Sequence, residues 1–319
     1  MQPEAVSASL GLWAETAGGV ATLINHSENH TFRVDCRDGG RAILRVHRPG
    51  YQSAASIESE LEWIAALRRD TGLPVPRPLA GCDGRLLQTV MPRGGEPRSA
   101  VLFAFEPGVE PTPDDDLGGL FEVLGRFAAT AHQHATRFQP SAGFSRQIWT
   151  ADAILDSDGL WGDWLRAPGV DGMTAETLAE LDRRLHADLA AYGTGPDRFG
   201  LIHADMRLAN LLVDGERVTL IDFDDCGFCW FMYDFAASIS FFEDSPKVPE
   251  LRRQWLAGYG AIRTPSAADL AIIDTMVLLR RMALLAWIGS HAETPLAAAH
   301  ADRFAAVTAA LAEPYLRRR

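Results

Sequence analysis

Three side chains in one short stretch of this sequence carry hard oxygen atoms: Asp205, Asn210 and Asp222. Carboxylate and amide oxygens suit Mg²⁺, which proteins usually hold with one or two carboxylates together with the phosphates of a substrate. Asn210 follows Asp205 by five residues, whereas Asp222 lies well beyond both. A shared metal site therefore requires the chain to turn back between Asn210 and Asp222.

The intervening residues predict such a turn. Two β-like runs, 211–213 and 218–221, flank an Asp-Gly pair, which is a frequent hairpin turn. A hairpin returns the chain, so that Asp222 reaches the neighbourhood of Asp205 and two carboxylates and one amide oxygen converge. The sequence therefore predicts a Mg²⁺ site built on a hairpin.

This pattern resembles the catalytic and metal loops of kinases, where an Asp meets the substrate hydroxyl and an Asn and a second Asp hold Mg²⁺. With His203 before Asp205, the spacing is similar to that of the aminoglycoside phosphotransferase family, the small-molecule branch of the kinase fold. Residues 201–236 also resemble the stress-response kinase A and type II homoserine kinase relatives within it. The resemblance implies a phosphotransferase that depends on ATP and Mg²⁺.

The resemblance also assigns roles to single residues. Asp205 would accept or orient the proton of the acceptor hydroxyl, and Asn210 and Asp222 would hold Mg²⁺ on the phosphates. His203 would anchor the catalytic loop through hydrogen bonds. Asp234 would either cap the helix that follows it or brace that loop.

Kinases cover the nucleotide phosphates with a glycine-rich loop, and this chain departs from that device. Its corresponding loop, residues 24–30, contains no glycine. The main-chain amides of the loop, helped by the Ser27 and Asn29 side chains, are therefore the candidate phosphate ligands.

The lysine that kinases pair with a glutamate is also replaced. Arg45 stands on the third predicted strand at that position, and an arginine grips phosphate with two donors. Glu60 is its implied partner, with Glu58 and Glu62 as rivals. An ordinary arginine at a strand edge is the alternative interpretation of Arg45.

The adenine site is implied at the linker between two lobes. A kinase hinge strand offers main-chain N–H and C=O groups to adenine, and Ala104 and Glu106 are the candidates here. Pro107 and Gly108 follow Glu106 directly and interrupt the strand pattern. The predicted division is a nucleotide-binding lobe over residues 1–105 and a catalytic, acceptor-binding lobe over 106–319.

Hydrophobic periodicity predicts the elements that carry these residues. The N-terminal part favours a small antiparallel sheet with one helix, 58–69, for which Ser53 or Ser56 is the N-cap. The strands are predicted at 20–24, 31–34, 42–46, 86–91 and 100–105. The rest is mostly helical, with helices at 117–138, 151–165, 175–192, 233–242, 248–259, 267–289 and 296–316. The predicted fold class is α+β, two-lobed and kinase-like.

Composition narrows the classes of function. The net charge of −12 argues against a nucleic-acid binder, which needs a basic surface. The apolar segment 270–288 contains Asp274, Arg280 and Arg281, which indicates a core helix rather than a membrane span. The first residues have no basic region or long apolar run, so a cytoplasmic protein without a signal peptide is expected.

The acceptor is predicted to be a small hydroxylated molecule, such as an amino alcohol, a sugar or an aminoglycoside-like compound. Only residues 226–231 separate the metal loop from Tyr233, where protein kinases place a long loop that docks protein substrates. Asp224 and Asp225 would favour an amine-bearing acceptor, with solvated turn acids as the alternative. A serine/threonine protein kinase of the stress-response type and a nucleotide-binding pseudokinase are the competing functions.

Overall fold

The computed structural model describes residues 6–26, 29–91 and 95–318, and the chain divides into two compact units. The first, named the sheet unit, joins the N-terminal part to two later segments: residues 1–109, 138–146 and 212–224. The second, named the helical unit, contains the remainder: residues 110–137, 147–211 and 225–319. Arg45 and Asp222 therefore belong to the sheet unit, and Asp205 and Asn210 belong to the helical unit.

An antiparallel sheet forms the sheet unit. Its strands are β1 (Val20–His26), β2 (His30–Asp35), β3 (Arg41–Val46), β4 (Pro78–Leu79), β5 (Leu87–Val90) and β6 (Arg98–Ala104). Their order is β1-β2-β3-β6-β4, with β5 also paired to β6, and every pairing is antiparallel. The register places Arg45 on β3 opposite Thr31 on β2 and Val101 on β6. The predicted N-terminal antiparallel sheet is thus confirmed.

One helix, α1 (Ala54–Thr71), accompanies this sheet. The Ser53 hydroxyl accepts a hydrogen bond from the N–H of Ser56 at 3.1 Å, so Ser53 is the N-cap. Gly72 ends the helix in the left-handed conformation that glycine adopts without steric cost. The helix is longer at both ends than the predicted 58–69, and it carries Glu60.

One face of the sheet is buried beneath the short 3₁₀ segment Ser7–Leu12. Alternate residues of β2, including Phe32 and Val34, point to this face because successive side chains of a strand point to opposite sides. Leu10 and Trp13 cover them and are themselves fully buried. This apolar layer fixes β3, and with it the position of Arg45.

The helical unit contains most of the helices. They are α2 (Leu120–Ala135), α3 (Ala151–Leu155), α4 (Gly172–Tyr192), α5 (Tyr233–Ser238), α6 (Val248–Ile262), α7 (Ala267–Ser290), α8 (Pro295–His300) and α9 (Phe304–Leu316). Within the described ranges, no helix is both long and apolar enough to span a membrane. The larger, mostly helical C-terminal part is therefore as predicted.

Short strands bring the candidate residues into place. A second sheet, in the order β7-β11-β8, joins β7 (Gln147–Ile148), β8 (Phe199–Ile202) and β11 (Gly227–Trp230). Asp205 follows β8. The predicted hairpin is present as β9 (Leu211–Asp214) and β10 (Arg217–Leu220), and Asp222 follows it.

The predicted helix 151–165 is wrong beyond Leu155. The chain there forms turns, closed by hydrogen bonds such as that from the N–H of Leu160 to the carbonyl of Ala153 at 2.8 Å. This stretch contains Gly159 and Gly162, and Gly162 has a φ of 94°, outside the helical range. The predicted helix 296–316 is likewise two helices, since α8 ends at His300 and α9 begins at Phe304.

Helices α2 and α6 are in backbone contact where they cross, and a glycine stands on each at the crossing. A Cβ atom added to Gly125 would lie 2.0 Å from the carbonyl oxygen of Trp255, and one added to Gly258 would lie 1.9 Å from that of Glu122. No side chain larger than hydrogen fits either position without moving a backbone. The crossing places His132 of α2 beside Tyr259 of α6.

Candidate active site

In the sheet unit, Arg45 and Glu60 form a buried ion pair. Nη2 of Arg45 donates to Oε1 and Oε2 of Glu60 at 2.7 and 2.6 Å, and the side chains are 7% and 0% exposed. The rivals are engaged elsewhere, since Glu62 accepts hydrogen bonds from Ser141 and Glu58 lies 3.6 Å from Arg85. The predicted pairing with Glu60 is therefore present.

Arg45 also reaches Asp222, the predicted Mg²⁺ ligand. Its Nη1 lies 3.3 Å from Oδ1 of Asp222, whose side chain is 47% exposed. Burial disfavours the charged guanidinium, but the nearby carboxylates, led by Glu60, raise the pKa of Arg45, which stays charged. Asp222 has a φ of 61°, a conformation that costs a non-glycine residue energy and that clusters at functional sites.

The loop before β2 contributes a contact that the sequence did not indicate. Nδ2 of Asn29 donates to Oδ2 of Asp224 at 2.9 Å, and its Oδ1 accepts from the N–H of Arg48 at 3.3 Å. The buried Asn29 side chain thus ties this loop to the residue two positions after Asp222. Ser27 lies outside the described residues, so phosphate binding by Ser27 and Asn29 stays a prediction.

The predicted adenine residues lie at the end of the sheet. The N–H of Ala104 donates to the carbonyl of Arg77 at 2.9 Å, so that donor is already used. Oε2 of Glu106 accepts from Arg217 at 2.8 Å, and the Glu106 side chain is half-buried. Adenine binding at Ala104 and Glu106 stays a prediction. It would use main-chain groups other than the N–H of Ala104.

In the helical unit, Asp205 and Asn210 are joined directly. Nδ2 of Asn210 donates to the carbonyl of Asp205 at 2.8 Å and to its Oδ2 at 2.7 Å. Both bonds come from the amide nitrogen, which fixes the amide orientation and leaves Oδ1 as the remaining acceptor. Oδ1 of Asn210 and the exposed carboxylate of Asp222 are hard oxygen donors of the kind that Mg²⁺ requires, so both residues fit a metal role.

Two arginines hold the Asp205 carboxylate. Arg280 of α7 donates through Nη2 to Oδ1, and Nε of Arg207 lies 3.3 Å from Oδ2. Burial alone would raise the pKa of Asp205, but Arg280, then Arg207 and His203, outweigh it and hold that pKa below its usual value. The carboxylate is therefore ionised at neutral pH and is a weak base.

Asp234 braces the backbone before Asp205. Its Oδ1 accepts from the N–H of Ala204 at 2.8 Å, and its Oδ2 lies 2.8 Å from Nε2 of His132. Nδ1 of His132 lies 3.1 Å from the Tyr259 hydroxyl, so the crossing of α2 and α6 supports the brace. Of the two predicted roles for Asp234, the structure has the brace, and the helix that contains it has no side-chain cap.

His203 contributes to the same loop. Its Nδ1 accepts from the N–H of Asp205 at 3.2 Å, which agrees with the predicted anchoring role. Ala204, between them, has a φ of 66°. The backbone of the catalytic loop is thus held in a left-handed turn by bonds from both sides.

Sequence reasoning missed Arg280 and His132 as parts of this site. Each is fully buried and stands on a helix far from Asp205 in sequence. The available signal was a charged or titratable residue on an apolar helix face, which indicates a buried partner without naming it.

The chain is similar to known phosphotransferases over most of its length. The model of the "Phosphotransferase enzyme family" matches residues 20–271. The amicoumacin kinase of Bacillus subtilis (strain 168) is 26% identical over 267 residues, which cover 80% of this chain and 76% of that protein.

Solved structures share the fold. The microcompartment-associated aminopropanol kinase is 42% identical with a TM-score of 0.89, and the match covers 97% of this chain and 96% of that one. An amicoumacin kinase in complex with AMP-PNP and Ca²⁺ is 21% identical with a TM-score of 0.75, covering 95% of this chain and 91% of that one. The predicted α+β fold class is therefore confirmed.

Proposed function

We propose that this chain, which belongs to the phosphotransferase enzyme family, transfers the γ-phosphoryl group of ATP to the hydroxyl of a small amino alcohol. The chain is a kinase with a hydroxyl group as acceptor, since the family match extends over residues 20–271. The observation that carries the choice of acceptor is the 42% identity to the aminopropanol kinase over nearly all of both chains.

Asp205 is assigned to the acceptor hydroxyl. A carboxylate with a lowered pKa is a poor base, so its contribution is to orient the hydroxyl and to take up its proton late in the transfer. A loose phosphoryl-transfer transition state requires little more, because catalysis there is mainly positioning and charge stabilisation. The two arginines and Asn210 keep this carboxylate in one orientation.

The phosphates are assigned to Arg45, Asn210 and Asp222. The Mg²⁺ that Asn210 and Asp222 would hold supplies neutralisation of phosphate charge when bound. Arg45 would steady the α- and β-phosphates with a guanidinium that Glu60 fixes from behind. Its fork takes the place of the lysine that is usual in kinases.

A half-buried carboxylate in the helical unit favours an amine on the acceptor. In the helical unit, Asp225 is half-buried, and its carbonyl accepts from Nε1 of Trp149 at 3.0 Å. Trp149 packs edge-on against Trp161, over which Arg280 lies at 5.2 Å. Trp149 is buried and Arg280 already covers the Trp161 ring, so Asp225 is the group of this cluster that can attract an ammonium group.

A panel of acceptors tests the proposal. The enzyme is incubated with ATP and Mg²⁺ and with 1-amino-2-propanol, and phosphorylated product is followed by ³¹P NMR. The matched controls are 1,2-propanediol, which lacks the amine, 1-aminopropane, which lacks the hydroxyl, and threonine, which adds a carboxylate. We expect kcat/KM for the amino alcohol to exceed that for the diol about 100-fold, the scale of a lost charge-assisted contact.

A protein substrate such as casein runs in the same assay. Phosphate that appears in protein, with no small acceptor turned over, would overturn the proposal and favour a protein kinase. Tight AMP-PNP binding with no turnover of any acceptor would favour a pseudokinase.

The metal ligands are tested by titrating Mg²⁺ against AMP-PNP binding. We expect Asp222→Ala to abolish metal-dependent binding and Asn210→Ala to weaken it, because each removes one hard oxygen donor. Asp214→Ala is the matched control, since Asp214 is an exposed carboxylate at the turn of the same hairpin. Unchanged metal dependence in both site variants would remove Asn210 and Asp222 from the metal site.

A further inference from the structure

We propose that Arg280 is a positioning residue, whose guanidinium holds the Asp205 carboxylate in the orientation that meets the acceptor hydroxyl. The inference rests on the proposed function, which gives Asp205 its role. Arg280 lies 75 residues from Asp205 in sequence, on the long apolar helix α7.

Two of the three guanidinium nitrogens of Arg280 donate to the catalytic loop. Its Nη2 donates to Oδ1 of Asp205, its Nη1 to the carbonyl of Ala204 at 3.3 Å, and its Nε to the Ser240 hydroxyl at 3.0 Å. The guanidinium also lies over the Trp161 ring, and the side chain is 2% exposed. A planar guanidinium with all three nitrogens hydrogen-bonded is held in one orientation. It therefore fixes the orientation of the carboxylate that it binds.

Both oxygens of Asp205 are thereby fixed. Arg280 binds Oδ1, while Oδ2 accepts from Nδ2 of Asn210 at 2.7 Å. A carboxylate held at both oxygens cannot rotate about its own axis. Because a displacement of about 1 Å in a reacting group costs roughly 100-fold in rate, this restraint bears directly on catalysis.

The next residue, Arg281, provides a matched control. It is also buried on α7, but its Nη1 donates to Oε2 of Glu243 at 2.6 Å and its Nε to the Thr308 hydroxyl at 2.9 Å. Its Nη2 donates to the carbonyl of Phe304 at 3.1 Å. Arg281 therefore binds α9 rather than the catalytic loop. The same substitution at both positions separates positioning from general loss of a buried arginine.

The experiment compares Arg280→Lys with Arg281→Lys in the full-length enzyme. It measures kcat, KM for ATP, KM for 1-amino-2-propanol, and the melting temperature. We expect Arg280→Lys to lower kcat about 10-fold or more with KM for ATP within about 2-fold, because a lysine keeps the charge but loses the fork. Arg281→Lys should lower the melting temperature while its kcat stays within about 2-fold of wild type.

A double-mutant cycle shows whether Arg280 acts through Asp205. If it does, Arg280→Lys in the Asp205→Asn background lowers kcat by less than about 2-fold further, since partners in contact are not additive. Losses that multiply would overturn the proposal. Should Arg280→Lys fail to fold, Arg280→Gln in the Asp205→Asn background leaves no lone buried charge and answers the same question.

Failure of the inference about Arg280 can be distinguished from failure of the proposed function. An Arg280→Lys enzyme as active as Arg281→Lys, beside an inactive Asp205→Asn enzyme, overturns this inference and leaves the proposed function intact. An Asp205→Asn enzyme with wild-type kcat overturns the catalytic assignment on which both rest.

Discussion

Each unit of the chain contains a buried arginine–carboxylate pair, and the pairs differ in which partner faces the ligand. In the sheet unit the arginine is the proposed ligand-binding partner: Arg45 is 7% exposed and Glu60 is 0% exposed. In the helical unit the carboxylate has that role: Asp205 is 14% exposed and Arg280 is 2% exposed. In both pairs, the more buried partner supports the more accessible one, which is the one proposed to meet the substrate.

This difference has an energetic reason. Taking either charge fully out of water is costly unless it is paired and hydrogen-bonded, so the buried member needs its partner for stability. The accessible member can exchange part of its environment for a phosphate or a hydroxyl. Substitution of either partner should therefore change stability as well as kinetics, because it leaves the other charge buried and unpaired.

The largest effect is expected for Asp205→Asn. We expect kcat to fall about 100-fold or more, because the variant loses the charge that orients and deprotonates the acceptor hydroxyl. AMP-PNP affinity, measured by titration on the same preparation, should stay within about 2-fold because no nucleotide contact is removed. Loss of nucleotide binding together with kcat would indicate a structural rather than a catalytic role.

A smaller effect is expected for Arg45→Lys, the matched change in the other pair. A lysine ammonium is a point charge and cannot reproduce a fork that contacts Glu60 and Asp222 together, so KM for ATP should rise about 10-fold while kcat changes little. Arg33→Lys on β2, whose arginine forms a surface pair with Asp35, is the control. Equal KM values in both variants would make Arg45 an ordinary strand arginine.

Local spacing predicted the contacts between residues that lie close together in the sequence. The Asp-Gly hairpin, the contact between Asp205 and Asn210, and the pairing of Arg45 with a helix glutamate are all present. Each depends on a turn signal, a five-residue spacing or a resemblance that fixes a strand and the helix after it. The binding of phosphate, adenine and metal by these residues stays a prediction.

The positions of Arg280 and His132 depend on tertiary packing, which could not be predicted from the sequence. Arg280 and His132 reach the catalytic loop from helices α7 and α2, and only the assembled helical unit sets their distance to it. The short strands β7, β8 and β11 contain two to four residues, too few for a periodicity to register. The left-handed backbone of Ala204 carries no sequence signal either, because alanine rarely adopts that conformation.

The two units also each contain a buried neutral histidine, which predicts an acid sensitivity. Burial, then the neighbouring charges of Arg45 and Arg146, lowers the pKa of His47 to about 2. Burial likewise lowers the pKa of His132, against the opposing effect of Asp234. Because an unfolded histidine titrates near pH 6.5, the unfolded state binds more protons below that pH, so stability is full above it and is lost as pH falls.

His47→Asn measures this contribution. Between pH 7.5 and 5.5 the wild type should lose about 1.4 kcal/mol more stability than the variant, which has no proton to take up on unfolding at this position. Chemical unfolding at several pH values gives the difference. His186→Asn, at a half-exposed position on α4, is the control, and an equal pH dependence in wild type and His47→Asn would contradict the prediction.

The smallest effect is expected for Ala204→Gly, at the left-handed residue beside Asp205. A left-handed backbone costs an L-residue about 1–2 kcal/mol, which glycine avoids. Against this, glycine loses about 0.5–1 kcal/mol in chain entropy and about 0.8 kcal/mol of buried methyl. These contributions nearly cancel, so the free energy of unfolding should change by less than about 1 kcal/mol.

Ala204→Val is the matched opposite. A β-branched residue is a genuine outlier in this conformation, and Ala204 is 1% exposed, so there is no room for the added methyl groups. We expect a loss of about 2 kcal/mol or more by urea unfolding. Glycine keeps the N–H that donates to Asp234, so Ala204→Gly should also keep kcat within about 3-fold, as expected where the restraint on Asp205 is retained. A collapse of kcat in the glycine variant without loss of stability would show that the methyl group itself, rather than the Asp234 brace, holds the loop in place.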